Sequence, residues 1–393
     1  MSLLPVAEAQ ARLLAMAPPL PAEAVPLAQA MGRWAIEDIG ALRTQPACDL
    51  SAMDGYAIRF ADIPGPWAII GESAAGAAFA GTLRQGEAVR IYTGAVMPEG
   101  ADTVVMQEDV TREGDRLILT GDGPGERRRH VRAAGSDFRQ GQCLIPSGAC
   151  LTPRHIALAT LAGWGTLSLP RLPRIALLST GSELVPPGAP AGPDQIPASN
   201  GAMLAAMLAA LPCSVDDLGI ITDELGALTD ALQSVRSHDI VVTTGGASVG
   251  DHDLVRPALE GAGGAIDFWK IGMRPGKPLI CGRMGGAVFL GLPGNPVSAY
   301  VTATLFLLPL VRSMTGCPNP LPATVLARLG APMPAVGGRD DYVRGLWADG
   351  VARPLSVQDS AATLALAQSN CLIRRAAASP AADVGEQVEI LPL

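Results

Sequence analysis

Residues 174–184 read RIALLSTGSEL. An apolar run without polar alternation, closed by a glycine turn, has the pattern of a strand buried on both faces. The same pattern recurs outward from it. A helix is expected from Asn200 to Leu211, a strand up to Ile221 and a helix from about Glu224 to Val235. DIVVTT (239–244) is the next strand, GGASVGD breaks the chain, and a short helix follows Asp253. Strands over IDFWKI (266–271) and LICGR (279–283) precede VFLGLP (288–293), which runs into a helix starting near Asn295. Strands alternating with helices predict a parallel, doubly wound α/β domain over residues 173–318.

The flanks differ in texture. Residues 1 to about 170 alternate short apolar runs with Gly and Pro, as in GEAVRIYTGAVMPEGADTVVMQ (86–107), and predict β-rich modules. Helices are expected in the opening stretch before Ala41 and from Pro153 to Trp164, the latter capped by Thr152 with Pro153 in its first turn. After Pro318 short alternating strands return, DYVRGLW (341–347) and EQVEILPL (386–393) among them, and fit a small β domain.

Composition narrows the function. The 393 residues carry a net charge of −8, and aromatic residues are 4%. Neither a basic footprint for a polyanion nor a base-stacking platform is present, so nucleic acid is not the expected partner. Seven scattered cysteines show no ligand spacing and read as reduced thiols, which with the lack of a basic, apolar leader predicts a cytoplasmic protein. The apolar stretch from Tyr300 to Val311 is too short to span a bilayer and reads as a buried helix. Of the 29 basic residues only Lys270 and Lys277 are lysines, and both lie in WKIGMRPGKP (269–278).

In an open α/β sheet ligands bind beyond the carboxyl ends of the strands. There the chain places Thr180, Gly181 and Glu183 in STGSEL, then Asp223, then Gly245, Gly246, Ser248, Asp251 and Asp253 in TTGGASVGDHD. MRPGKP (273–278) and LPGNPVSA (292–299) complete the set. Glycines let a backbone approach a ligand and present successive N–H groups. Arg274 and Lys277, on a loop stiffened by Pro275 and Pro278, suit an oxyanion. Asn295 is placed to cap a helix whose first position is Pro296, an end that favours anions. The carboxylates offer hard oxygen ligands for magnesium beside a phosphate. Taken singly, each Asp is better explained by helix capping and each Gly-rich turn by chain reversal.

Together SAMDGYA (51–57), TGAVMPEGADTVV (93–105), GSD (135–137), STGSEL, GGASVGDHD, MRPGKP and GLPGNPVSA resemble, in order and spacing, the MoeA/gephyrin family of molybdopterin molybdenumtransferases. The resemblance implies an α/β multidomain chain: a central doubly wound MogA-like domain at 173–318 and a small C-terminal β-barrel domain at 319–393. β-rich N-terminal domains would occupy 1–45 plus 132–172 (domain I) and 46–131 (domain II). It implies insertion of molybdenum from molybdate into adenylylated molybdopterin with release of AMP and use of Mg²⁺. It further implies a homodimer whose cleft lies between subunits, with MogA-like and molybdoenzyme-chaperone proteins as further partners and no nucleic acid or membrane.

By motif, Asp54, Asp137, Glu183, Asp223, Asp251 and Asp253 take the family's acidic positions, and Lys270, Arg274 and Lys277 its cationic ones. Thr93, Pro293, Pro296, Ser298 and Ser360 fall at cleft positions. Two departures stand out: Ser182 replaces an acid found in some relatives, and Arg274 a lysine. The expected roles are as follows. Gly245, Gly246 and Ser248 cradle a phosphate, Lys270 and Lys277 neutralise charge, and Asp223 with Asp251 holds magnesium. Arg274 and the Asn295 helix end hold the oxyanion, and Asp54 and Asp137 reach in from the partner subunit to orient water or metal or to gate the dithiolene. An adenylyltransferase or nucleotide pyrophosphatase built on the same α/β domain is a second reading, which the large N-terminal region with SAMDGYA disfavours. A noncatalytic scaffold is a third.

Overall fold

The computed structural model describes residues 3–246 and 254–393. Its centre is a sheet of β1 (Arg174–Thr180), β2 (Ser214–Ile221), β3 (Ile240–Thr244), β4 (Gly264–Trp269), β6 (Ile280–Met284) and β7 (Ala287–Leu292), in the order β2-β1-β3-β7-β6-β4. Between β4 and β6 lies the two-residue strand β5 (Met273–Arg274), which joins another sheet. Successive side chains of a strand face opposite ways. Thus Ile175, Leu177, Val242 and Leu290 pack on one side with the helices Ser199–Leu208 and Pro296–Met314. Ala176, Leu178, Val241 and Phe289 pack on the other with Leu225–Ser234 and Val255–Gly261. Both faces are covered, which is why the strands carry continuous apolar runs.

The sheet is mixed and not wholly parallel as expected. β1, β2, β3 and β7 run parallel, but β6 is antiparallel to β7 and to β4. Only Gly285 and Gly286 join β6 to β7, and a two-residue link can reverse a chain but cannot carry a crossover.

The helix Pro296–Met314 is 19 residues long, longer than the apolar stretch suggested, and 78% of its 18-residue apolar window is buried. It is apolar all round because it is the core helix of the unit. The expected helix before Ala41 ends instead at Ala15, ahead of Pro18, Pro19 and Pro21, which cannot continue it. Val6, Ala9 and Leu13 on that helix join the same core as the central sheet. From there the chain extends. Ala22–Pro26 pairs with Thr166–Pro170, and Ile39–Gly40 with Cys143–Ile145, around a core shared with the helix Pro153–Leu161. Thr152 does stand at the N-cap of that helix, and its amide donates to His155 Nδ1. Residues 55–119 build a separate six-stranded sheet.

At the C-terminal end β8 (Val325–Leu329), β9 (Asp340–Ala348), β10 (Val351–Pro354), β11 (Cys371–Arg375) and β12 (Gln387–Pro392) close into a barrel. The order is β9-β10-β8-β12-β11, and β11 pairs back onto β9. β5 adds to the edge of β9, with Arg274 opposite Asp341. One strand from the α/β stretch therefore ties the barrel against the carboxyl ends of the central strands.

Candidate anion-binding active site

Between those strand ends and the barrel opens a cleft of about 1580 Å³. Thr180, Gly181, Glu183, Asp223, Gly245 and Gly246 line it from the β1, β2 and β3 turns. Arg274 and Lys277 line it from the MRPGKP loop, and Pro293, Asn295, Pro296 and Ser298 from the β7 turn. Ser360 lines it from the barrel side. Five turns distant in sequence are thus brought to one wall, as the topology of a parallel sheet requires.

Local chemistry fixes these turns. Gly245 adopts φ +93°, and a Cβ there would stand 2.1 Å from the Thr180 carbonyl oxygen, so only glycine fits. Its amide donates to Leu292 O at 3.2 Å, tying the β3 turn to β7. The Ser182 amide donates to Asp223 Oδ2 at 3.2 Å, joining the first two turns. Asn200 Nδ2 donates to Gly294 O at 2.8 Å, which anchors the β7 turn.

Asn295 occupies the expected N-cap position, but its side chain does not cap the helix. Nδ2 donates to Ser360 Oγ at 2.9 Å, and the Val297 amide donates to Ser360 O at 3.2 Å. Ser360 therefore sits on the helix end and takes one of its free N–H groups.

Other expected residues stand elsewhere. Lys270 does not line the cleft. It has φ +64°, and its ammonium lies 4.1 Å from the centre of the Trp269 ring, which Arg256 also approaches at 5.7 Å. Among the described residues Lys277 lines the cleft, whereas Lys270 makes a cation–π contact at the sheet edge. Asp54, Thr93 and Asp137 are exposed on the N-terminal units and do not line the cleft. The structure does unite two of them: Thr93 donates to Asp54 Oδ1 through its amide at 2.7 Å and its hydroxyl at 2.9 Å. These bonds, with the Arg90 charge, outweigh desolvation and hold the Asp54 carboxyl below the usual range. Ser248, Asp251 and Asp253 lie outside the described residues.

Apart from Ser360, the barrel wall was not expected from the sequence. Arg344 on β9 is 2% exposed and lines the cleft, with no carboxylate within 4.0 Å among the described residues. Its Nη1 donates to Asp359 O at 2.9 Å and its Nε to Gln358 Oε1 at 3.4 Å, so the neighbours that fix it are neutral. Burial pushes its guanidinium pKa down, with Asp359 opposing. A buried cation without an anionic partner is costly unless an anion arrives. Asp341 lines the same wall. Burial pushes its carboxyl up, although Arg274, Arg339 and Arg375 pull it down.

Magnesium was expected on Asp223 and Asp251. Among the described residues no group of three or more His, Cys, Asp or Glu side chains could hold a metal. Asp223 and Glu183, on turns joined through Ser182, fit a cation that takes one or two carboxylates and completes its shell with phosphate and water.

With Arg274 and Lys277 on one wall and Arg344 on the other, this cleft is suited to an anionic small molecule. Family comparison sharpens that class. Residues 4–163 match the MoeA N-terminal region (domain I and II), 176–313 a probable molybdopterin binding domain, and 326–393 the MoeA C-terminal region (domain IV). A molybdopterin molybdenumtransferase of Haemophilus influenzae is 35% identical, the match covering 98% of this chain and 97% of that one. One of Staphylococcus aureus is 29% identical over 99% and 95%. A solved MoeA structure from Pyrococcus horikoshii superposes with a TM-score of 0.86 at 29% identity, covering 100% and 99%. The chain belongs to the MoeA family of molybdopterin molybdenumtransferases.

Proposed function

We propose that the chain is a molybdopterin molybdenumtransferase that inserts molybdenum from molybdate into adenylylated molybdopterin and releases AMP. The observation that carries this reading is the single cleft in which Arg274 and Lys277 from the sheet side meet Arg344 from the barrel side. Three cations around one space suit a dianionic oxyanion beside a phosphoanhydride. Names borne by relatives at 35% identity over nearly the whole chain supply the substrate class.

The chemistry rests on positioning and electrostatics. Lys277, a compact ammonium on a proline-stiffened loop, neutralises charge on the anhydride. Arg274 and Arg344 hold the molybdate oxygens with planar guanidinium donors. The Gly245–Gly246 turn brings backbone close to a phosphate. Asp223 and Glu183 would hold Mg²⁺, which when bound neutralises phosphate charge. The molybdate oxygen attacks the pterin-side phosphorus, the P–O bond to AMP breaks and AMP departs with the bonding pair; water then hydrolyses the phosphomolybdate so formed, leaving pterin phosphate and molybdate beside the dithiol.

Asp54, Thr93 and Asp137 serve the site from the partner subunit of a homodimer, since in their own chain they do not line the cleft. Domain I would comprise 1–45 and 132–172, domain II 46–131, the α/β domain 173–318 and the barrel 319–393. The enzyme would work in the cytoplasm, receiving substrate from a MogA-like protein and handing product to a molybdoenzyme or its chaperone.

AMP release from adenylylated molybdopterin, measured with and without molybdate and Mg²⁺, tests this. Wild type should release AMP only with molybdate, and Lys277→Arg should be slower by tenfold or more. Equal release without molybdate would make the protein a pyrophosphatase and overturn the reading.

A further inference from the structure

Molybdenum cannot pass from molybdate to a pair of sulfur ligands without losing an oxide. In balance, MoO₄²⁻ and a dithiol give a trioxo-molybdenum dithiolate dianion and water. Two Mo–S bonds form, one Mo–O bond breaks, and both thiol protons leave on the departing oxygen. Molybdenum stays in its oxidised state throughout. A cleft furnished only with cations would hold the oxyanion but would not move those protons.

We propose that Asp341 is the proton carrier of this step, taking a thiol proton and delivering it to the leaving oxide. The inference deepens the insertase reading and rests on it.

The placement argues for the role. Asp341 stands on β9, lines the cleft, and lies opposite Arg274 in the β5–β9 pairing. Its carboxylate makes no hydrogen bond and no ion pair within 4.0 Å among the described residues, although it is half-buried. The cleft's other carboxylates among the described residues are differently placed. Asp223 accepts from the Ser182 amide, Asp359 accepts from the Ala361 amide, and Glu183 is exposed.

The charged groups around Asp341 are Arg274 on β5, Arg339 on the chain leading into β9, and Arg375 opposite it on β11. Their charges favour the ionised form, which can accept a proton. Burial works the other way and raises its proton affinity. A carrier with affinity closer to working pH transfers protons more efficiently.

The test is molybdate-dependent AMP release and molybdenum transfer by Asp341→Asn and Asp341→Glu across pH, with molybdate binding followed by thermal shift. Wild-type rate should fall as pH drops through the Asp341 pKa, at a pH above the ordinary carboxylate value of about 4. Asp341→Asn should lose that acid limb and about a hundredfold or more of kcat. Its molybdate response should persist, since removing a negative charge does not weaken an anion site. Asp341→Glu should keep the limb and recover much of the rate, which a purely structural role would not produce. Asn substitution with full kcat and an unchanged pH profile overturns the proton role while leaving the insertase reading intact. Wild-type enzyme without any molybdate-dependent turnover overturns both.

Discussion

Arg344 is the residue on which the barrel wall turns. Its guanidinium is buried and hydrogen-bonded to neutral acceptors, and the Asp359 charge only partly offsets that burial, so an anion bound in the cleft would offset it further. Its partner should therefore be measurable as linkage: ligand that binds the folded state alone raises stability by about 2.7 kcal/mol at a hundredfold excess over Kd. Molybdate should raise the Tm of wild type and fail to raise that of Arg344→Met. An equal shift in both would take Arg344 out of the anion site. This residue was not legible in DYVRGLW, because an alternating strand leaves one face to solvent and an arginine there reads as surface. What buries it is the segment 358–362 folding over β9, a long-range packing event. Lys277 was legible because a lysine in a chain of arginines, fixed between two prolines, is a local signal. Lys270 shared that signal but not the place, since the indole of Trp269 engages its ammonium at the sheet edge.

At the scale of elements, the join between the strand Thr166–Pro170 and β1 depends on Asp239. Its carboxylate takes Arg171 Nη1 and Nη2 at 2.8 and 2.6 Å and the Arg174 amide at 2.8 Å. Burial alone would raise the Asp239 pKa, but these bonds and charges outweigh it and leave it lowered. A carboxyl with a depressed folded pKa adds stability above its unfolded value, and that stability is lost as pH falls through the folded pKa. Asp239→Asn should cost about 2 kcal/mol between pH 5 and 8, judged against the 3–5 kcal/mol for breaking a fully buried pair. Denaturant titrations should show the gap narrowing below about pH 4. A gap independent of pH would remove the charge from the account.

The elements themselves were largely readable, since β1, β3 and β7 are buried on both faces and carry unbroken apolar runs. The direction of β6 was missed because the Gly285–Gly286 reversal lies between two strands that read alike. The early end of the first helix was signalled by Pro18, Pro19 and Pro21, against which its apolar spacing is a weaker local cue.

Over the whole molecule, the family motifs divide between two places. Those of the sheet and barrel share one cleft, whereas Asp54 and Thr93 are bonded to each other on a separate unit. The proposed homodimer, with each site completed by a second copy, would reconcile the two. Mixed dimers of Asp54→Ala with Lys277→Ala should then recover activity, because one of the two clefts is whole. Mixtures no more active than the separate variants would contradict a shared cleft. The motif order along the chain was enough to expect several units, but no local pattern reports which unit faces which. That arrangement is set by pairings such as β5 on β9, two residues long and distant in sequence.

The central claim is that the cleft between the strand ends and the barrel receives molybdate. Anomalous diffraction at the molybdenum edge from crystals soaked with molybdate and AMP tests it most directly. A molybdenum peak within contact of Lys277, Arg274 and Arg344 is expected, weakened or absent in Arg344→Met. A molybdenum peak bound elsewhere on the chain, with that cleft empty, would contradict it.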